Sequence, residues 1–352
     1  MNLTIMIATK DRPEFLLRTL KYYHLAGFKG QILIGDSSNG FNSQINISQV
    51  SHYKQLMKIE YFIDTELSSD KMILFLSKKV KTDYSVMMND DDILIVSSII
   101  PCIEFLESHS DYSAVNGKAF SIGIDYNSPK PFGKVTLFKK YPLAKTTNEN
   151  SFERIKDFFD TMLNINMSIT RSNVSLEAFE TIKKLNKFDS SFVFGELMQA
   201  SVVLSRGKIG TIDNCYLVRQ KHTQQHYRNI DRNEWIKKSN FINASVELKN
   251  VLINELSRNL NLTNNDIIKI DELILSKTKS IINKMLNLKD RNFFYKLIAF
   301  TFNISGNPIN ILKNTFNYFI GHKKLNNFNL TKSDQASVKL YLNLINKKIN
   351  FK

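Results

Sequence analysis

The sequence predicts an α/β fold with a mixed, mainly parallel sheet, followed by a basic and mostly α-helical C-terminal region. In the first half of the chain, short apolar runs alternate with helix-like runs, which is the pattern of a sheet flanked by helices. Several of the apolar runs lead directly into polar residues, as buried strands do at their carboxyl ends. Later in the chain the alternation stops and positive charge accumulates. We expect the boundary at residues 228/229, with one domain at 1–228 and the helical region at 229–352.

Size and composition are those of an ordinary globular protein. The chain has 352 residues, 43% of them hydrophobic, which suffices for one large core or two domains. Cys102 and Cys215 are the only cysteines, which argues against a disulfide framework and favours a reducing compartment. The N-terminus lacks a basic segment followed by a long apolar one, and no apolar run of about 20 residues occurs, so we expect neither signal peptide nor membrane span.

The predicted elements follow in order from the N-terminus. The first strand is LTIMIA, residues 3–8, and it ends in the polar loop TKDR. Pro13 suits the first turn of the next helix, and Gly27 suits its end. The second and third strands are QILIGD and KIEYFID, with a turn between them at SSNG. SSDKMILFLSKKV has apolar residues at helical spacing, and YSVMM forms the fourth strand.

The second half of this domain contains fewer clear signals. NMSITRSN predicts a strand or sheet edge, and FVFGELMQASVVLSRG (192–207) predicts a helix with Glu196 in its first turn. KIGTIDNCYLVRQ predicts a further strand, followed by a loop that holds His222 and His226.

Three adjacent carboxylates, Asp90, Asp91 and Asp92, follow the fourth strand. They could simply cap the next helix, although a cap needs only one such residue. Alternatively they form part of a site, because ligands of open α/β sheets bind where the carboxyl ends of the strands converge. Residues 9–12 and 36–38 lie at two other such ends. Neither GxGxxG nor a P-loop occurs, and acidic oxygens without a glycine loop suit Mg²⁺ or Mn²⁺.

Four segments together resemble the nucleotide-sugar glycosyltransferases of GT-A fold, family-two-like. They are IMIATKDRPEFLLRTLKYYHLAGFKGQILIGDSSNG, the aspartate (DxD-type) motif MMNDDDI, SDYSAVNGKAF, and FGELMQASVVLSRGKIGTIDNCYLVRQKH. They occur in the order typical of that family, and the resemblance covers residues 1–228. It implies a GT-A (Rossmann-like) sheet and a nucleotide-sugar donor.

The resemblance also implies roles for individual residues. Thr9 and Arg12 would line the base and diphosphate pocket, and Asp36 would contact the base. Asp90 or Asp91 would meet the ribose. The remaining roles are a donor-phosphate contact for Lys71, metal ligation by Asp91, Asp92 and His222, and a catalytic base at Glu196.

Each of these single residues has an ordinary structural alternative. Glu196 can stabilise the first turn of its helix through the helix dipole. Lys71 can be a solvated surface lysine, and His222 can be a surface or core residue. Glu196 is also less secure than the triplet, because many relatives have Glu-Asp there and Leu197 follows it here.

The C-terminal part is strongly basic. Residues 281–352 contain 12 Lys and Arg against 2 Asp and Glu, whereas the whole chain has a net charge of +15. Aromatic residues are interspersed among these cations: Phe293, Phe294, Tyr295, Phe300, Phe302, Phe316, Tyr318 and Phe319. Such a surface can rest on anionic lipid or bind phosphates of nucleic acid. An ordinary helical core with solvated lysines is the third alternative, and no nucleic-acid-binding signature supports the second.

The sequence therefore predicts an enzyme, a metal-dependent hexosyl- or related sugar transferase. It would move a sugar from a nucleotide-sugar donor to a glycan or lipid-linked acceptor in cell-surface polysaccharide synthesis, with inversion. We expect it in the cytoplasm, peripheral on the inner face of the membrane. The alternatives are a non-catalytic scaffold of the same fold and a nucleotidyltransferase, although the latter usually has a glycine-rich loop after its first strand.

Overall fold

The computed structural model describes residues 1–124, 130–135, 137–185, 194–222, 240–259, 263–274, 276 and 330–346. Within these residues nine strands form one mixed sheet in the order β3-β2-β1-β4-β8-β6-β9-β5, with β7 paired to β6. The strands are β1 (Leu3–Thr9), β2 (Gln31–Asp36), β3 (Lys58–Ile63), β4 (Tyr84–Asn89), β5 (Ile93–Leu94), β6 (Tyr112–Gly123), β7 (Leu137–Tyr141), β8 (Ile169–Arg171) and β9 (Lys208–Gln220).

Helices cover both faces of this sheet. They are α1 (Pro13–Leu25), α2 (Gly40–Lys54), α3 (Ser69–Ser77), α4 (Ile99–Ser108), α5 (Ser151–Thr161), α6 (Ser172–Ile182), α7 (Phe194–Arg206), α8 (Asn240–Asn259), α9 (264–274) and α10 (Lys332–Asn346). One apolar core lies under α1, α2, α4 and α10, and a second lies under α3 and α5 to α9. The α/β class and the first four strands are thus as predicted.

The parallel half of the sheet aligns three strand ends. Strand β1 pairs in parallel with both β2 and β4. Thr9 lies opposite Asp36, and Ala8 lies opposite Asn89. The loops that begin at Thr9, Asp36 and Asp90 therefore leave the same edge of the sheet.

The other half of the sheet brings in the end of β9. Strands β6 and β9 run parallel, while β8 is antiparallel to both β4 and β6. The short strand β5 pairs antiparallel with β9, with Ile93 opposite Val218. Since Ile93 directly follows the triplet, this pairing places Asp92 beside the last residues of β9.

Helix α2 was not predicted, because its sequence has little apolar periodicity. Its inner face is largely polar, and the buried residues are Ser43, Asn46, Val50 and Tyr53. These polar residues are required because α2 covers the carboxylate at the end of β2, which needs hydrogen-bond donors when buried.

The described C-terminal helices pack onto the first 228 residues. In α10, Val338, Tyr341 and Ile345 are buried, and the Tyr341 ring meets the Tyr22 ring edge-on at 5.5 Å. In α8, the buried Leu248, Leu252 and Leu256 belong to the core that contains α7. The described part of this region therefore contributes to the domain core.

The boundary at 228/229 itself stays a prediction. His226 and the eight aromatic residues named above lie outside the described residues. Among the helices that the structure describes, none is long and apolar enough to cross a membrane. Both cysteines are free and buried.

Candidate active site

Five of the predicted site residues lie together at the carboxyl edge of the sheet: Thr9, Arg12, Asp90, Asp91 and His222. The strand ends described above deliver four of them, and β9 delivers the histidine from the opposite side. Each of the five is hydrogen-bonded to another member. The strand ends predicted the proximity of Thr9, Arg12, Asp90 and Asp91, and the resemblance predicted that of His222. The pairings among the five were not predicted.

The Arg12 guanidinium lies at the centre of this group. Its Nη1 is 2.8 Å from Asp90 Oδ1, and its Nη2 is 2.9 Å from Asp91 Oδ2. The same Nη2 lies 3.1 Å from His222 Nε2. The guanidinium also stacks over the Phe15 ring at 4.3 Å, and the Arg12 side chain keeps 28% of its surface exposed. Burial lowers the pKa of Arg12, but the charges of Asp90 and Asp91 outweigh it and raise this pKa overall.

Asp90 and Asp91 have opposite pKa shifts although they are neighbours. Burial raises the pKa of Asp90 to about 6, opposed by Arg12, and Thr9 Oγ1 donates to Asp90 Oδ2 over 2.8 Å. Burial acts on Asp91 too, but the hydrogen bond from His222 and the charge of Arg12 hold its pKa well below its usual range. The Asp91 Oδ2 to His222 Nε2 distance is 2.9 Å. Asp91 is therefore the firmly ionised member of this pair.

Asp92 points away from this pair and joins the end of β9. Its Oδ2 accepts from Asn89 Nδ2 and from Arg219 Nε, and its Oδ1 accepts from the Gln220 backbone N–H, all at 3.0 Å. Burial raises the pKa of Asp92, whereas the carboxylate raises the pKa of Arg219. We regard Asp92 as ionised because only donors face it. These contacts indicate that Asp92 holds the end of β9 in place, as an anchor.

The capping interpretation of the triplet is wrong. The triplet is followed by β5 and by a short 3₁₀ helix at Val96–Ser98, and helix α4 begins only at Ile99. The three carboxylates bind Arg12, His222, Arg219 and their neighbours instead.

Asp36 is completely buried under the loop that follows β2. Its Oδ1 accepts from Ser38 N at 2.7 Å, and its Oδ2 accepts from Asn46 Nδ2 at 2.8 Å and from the Tyr61 hydroxyl. Burial and the bond to Asp36 raise the pKa of Tyr61. Within the described residues, Asn46 Oδ1 is buried without a hydrogen-bond partner. Asp36 thus links the loop after β2 to helix α2 and strand β3. Asn46 and Tyr61 were missed from the sequence.

Asp11 was also missed, and it joins the first two loops. Its φ of 54° lies in the left-handed region, which Asp tolerates better than most residues. Its backbone N–H donates to Ser38 Oγ over 2.6 Å, and its Oδ1 accepts from Asn39 N and Asn42 Nδ2, each at 3.2 Å. The DR dipeptide after a strand was the available signal, but its partners are 27 or more residues away.

Arg18 was missed as well, and it lies on the buried side of the triplet. It is fully buried and donates from Nη2 to the Asp91 carbonyl over 2.8 Å. Its Nη1 donates to the Pro131 carbonyl over 2.9 Å and to Gln220 Oε1. In addition, its guanidinium lies 5.5 Å from the centre of the Tyr341 ring in α10. It holds the triplet, the end of β9 and the C-terminal helix together.

Glu196 lies in the first turn of α7, near Arg219, Asp70 and Tyr141. The residue is exposed to solvent, yet desolvation still raises the pKa of its carboxyl. Asp70 adds to this shift and Arg219 opposes it. The carboxyl is thus open to solvent while it lies near the charges of Arg219 and Asp70. Its helix-dipole role and a catalytic role are both compatible with this position.

Lys71 is exposed in the first turn of α3. No ion pair links it to the described residues of the site. Its assignment to a donor phosphate stays a prediction.

Two of the described site residues carry atoms of the kind that bind divalent cations, a carboxylate oxygen of Asp91 and an imidazole nitrogen of His222. Among the described residues no group of three or more His, Cys, Asp or Glu is arranged to hold a metal. However, Asp91 Oδ2 and His222 Nε2 are adjacent, and Arg12 Nη2 lies within 3.1 Å of both atoms. A carboxylate oxygen and an imidazole nitrogen are ligands that Mn²⁺ accepts. Asp92 has both oxygens occupied by protein donors and does not fit as a ligand in this arrangement.

Comparisons with known proteins show the fold. No protein-family model matches the chain, and no curated protein matches it. The crystal structure of S. aureus TarS residues 1–349 has a TM-score of 0.53 and 11% identity, and the alignment covers 98% of this chain and 90% of that one. Its complex with UDP-GlcNAc has a TM-score of 0.55 and 12% identity, with 98% and 89% covered. Its complex with UDP has a TM-score of 0.51 and 11% identity, with 98% and 90% covered. The chain therefore shares its overall fold with that protein.

Proposed function

We propose that this protein is a glycosyltransferase that moves a sugar from a nucleoside-diphosphate donor to an acceptor hydroxyl. One observation supports this most: the cluster of Arg12, Asp90, Asp91 and His222 lies at the carboxyl edge of a sheet, in a fold shared with a protein crystallised with UDP-GlcNAc and UDP. Ligands of open α/β folds bind at that edge. The GT-A assignment is part of the proposal.

The donor would lie across the first two loops and the triplet. Asp36 would order the base pocket from behind, through Ser38, Asn46 and Tyr61. Asp90, held by Thr9, faces the ribose. Arg12 and Lys71 face the diphosphate, whose charge they offset.

A divalent cation, Mn²⁺ or Mg²⁺, would be held by Asp91 and His222. When bound, it neutralises the charge that develops on the leaving nucleoside diphosphate, as a Lewis acid does. Asp92 fixes Arg219 and Gln220, which lie three and two residues before His222. We therefore propose Asp92 as a positioning residue rather than a ligand.

Glu196 would accept the proton of the acceptor hydroxyl. Its partial desolvation raises the pKa of the carboxyl, which makes it a stronger base than an ordinary glutamate. A base across from the leaving diphosphate implies direct displacement with inversion at the anomeric carbon, since attack and departure are on opposite faces of the sugar.

The acceptor would be a glycan or lipid-linked glycan of a cell-surface polysaccharide. The excess positive charge of residues 281–352 would hold the enzyme on the anionic inner face of the cytoplasmic membrane. Sedimentation with anionic vesicles, compared with neutral ones, tests this part. Equal binding to both would exclude it.

Incubation with a panel of nucleotide sugars and Mn²⁺ tests the function directly. We expect release of a nucleoside diphosphate from at least one donor, slow in water and faster with acceptor. Release of pyrophosphate would instead identify a nucleotidyltransferase. Binding of the donor without any turnover, with Glu196 intact and acceptor present, would identify a scaffold.

A further inference from the structure

Arg18 is a buried cation that is held in place without a carboxylate. It is fully buried, and its guanidinium donates to the Asp91 carbonyl, the Pro131 carbonyl and Gln220 Oε1. Among the described residues no carboxylate oxygen forms an ion pair with it, and its Nε is buried without a hydrogen-bond partner. Because a buried charge is costly unless it is compensated, other groups must offset part of this one.

Two aromatic rings lie beside the Arg18 guanidinium. The centre of the Phe15 ring is 5.1 Å from Arg18 Cζ, and the centre of the Tyr341 ring is 5.5 Å from it. A ring at such a distance attracts a cation, and the attraction is larger when the pair is desolvated, as it is here. Phe15 belongs to the same helix as Arg18, whereas Tyr341 comes from the C-terminal helix α10. Tyr341 therefore connects α10 to the buried side of the candidate site.

The Tyr341 side chain makes this contact through its ring. It is fully buried, and within the part of the chain that the structure describes its hydroxyl has no hydrogen-bond partner. Burial raises the pKa of Tyr341 to about 12, although the charge of Arg18 opposes the shift, so the hydroxyl is neutral near pH 7. Removal of the hydroxyl should therefore leave the contact with Arg18 intact, and removal of the ring should abolish it.

We propose that Tyr341 is a positioning residue for the candidate active site and that it acts through Arg18. The inference rests on the proposed function. Arg18 bonds to the triplet through the Asp91 carbonyl and to the end of β9 through Gln220 Oε1. These two segments carry Asp91 and His222, whose Oδ2 and Nε2 are 2.9 Å apart. If Arg18 shifts, neither segment keeps its support, so the geometry of that pair depends on a ring of α10.

The test compares Tyr341→Leu, which removes the ring, with Tyr341→Phe, which keeps it. Val338→Ala is the matched control, because Val338 is fully buried on the same face of α10 and its truncation weakens the packing of that helix without removing a ring. Thermal unfolding measures the stability that each variant loses. Hydrogen–deuterium exchange, read by mass spectrometry where all variants are folded, measures the opening of residues 89–95 and 215–222.

Tyr341→Leu should speed exchange in both segments by about threefold to tenfold, as expected for loss of a buried cation–π contact. Tyr341→Phe should exchange like the wild type. Val338→Ala should lower the Tm but speed exchange in these segments no more than elsewhere in the core. Calorimetry should show UDP binding to Tyr341→Leu weakened by a similar factor, and UDP binding to the other two variants unchanged.

Tyr341→Met guards against a leucine variant that does not fold. Methionine also lacks a ring, but its flexible side chain fills irregular space in a core, so we expect the same faster exchange in the two segments. Failure of both variants to fold would make Tyr341 an ordinary core residue and would count against the inference.

Two further outcomes separate the inference from the proposed function. If UDP binds the wild type and Tyr341→Leu equally well, or if Val338→Ala opens the two segments as much as Tyr341→Leu does, the positioning role is wrong and the proposed function stands. If the wild type binds neither UDP nor any other nucleoside diphosphate, the proposed function fails. The exchange measurement then still decides whether Tyr341 supports the two segments through Arg18.

Discussion

Replacement of Asp92 by asparagine should destabilise the protein. The carboxylate is fully buried and accepts three hydrogen bonds, from Asn89, Arg219 and the Gln220 backbone. Loss of one partner of a buried ion pair costs about 3–5 kcal/mol. Arg219 keeps its bond to the Tyr141 hydroxyl at 2.6 Å, and asparagine can still accept from Gln220. We therefore expect the free energy of unfolding to fall by an amount near the lower end of that range, about 3 kcal/mol.

The assay is thermal and urea unfolding monitored by circular dichroism. With about 2.1 cal/mol/K of unfolding entropy per residue, a loss of about 3 kcal/mol lowers the Tm of a chain of this length by about 4 °C. The matched control is Asp213→Asn. Asp213 pairs with Lys118 but its side chain is 98% exposed, and such surface pairs contribute about 0–1 kcal/mol. An Asp92→Asn variant as stable as the wild type, with donor binding lost, would refute the anchor role and make Asp92 a ligand.

Three further changes have expected outcomes. Glu196→Gln should lower kcat by roughly 10²–10⁴-fold with unchanged donor affinity. In the wild type, the acid limb of the pH–rate profile should lie above 4.5, because desolvation raises the pKa of Glu196 and only the ionised carboxylate is a base. Loss of donor affinity instead would make it a binding residue. Arg18→Met should cost about 3 kcal/mol in unfolding, because it removes the donor to the Pro131 carbonyl, to Gln220 Oε1 and to the Asp91 carbonyl. Unchanged urea unfolding would contradict this. Tyr61→Phe should weaken nucleotide binding, measured by calorimetry, because the hydrogen bond to Asp36 is lost. Tyr53→Phe, on the same side of the sheet, is the control and should leave nucleotide binding unchanged.

The sequence located the site because strand ends are readable locally. The runs LTIMIA, QILIGD and YSVMM each stop at a polar residue, and parallel pairing then brings Thr9, Asp36 and Asp90 to one edge. The parallel strands β1, β2 and β4 and the site residues at their ends could therefore be predicted from the sequence alone.

The pairings within the site could not be predicted in this way. Arg18 binds residues 73, 113 and 202 positions away, and no local pattern encodes such contacts. Likewise, the different environments of Asp91 and Asp92 depend on β5 pairing with β9, although the two residues are neighbours. Helix α2 was missed because burial of Asp36 requires polar residues where a helix face is normally apolar.

The most direct test of the proposed function is calorimetric titration of a panel of nucleoside diphosphates with Mn²⁺, repeated after excess EDTA. The proteins are the wild type, Asp91→Asn and the exposed control Asp213→Asn. We predict that at least one nucleoside diphosphate binds to the wild type and to Asp213→Asn, that EDTA weakens this binding, and that Asp91→Asn abolishes the metal dependence. No binding of any nucleotide, or binding that neither EDTA nor Asp91→Asn changes, would contradict a metal-assisted donor site at Asp91 and His222.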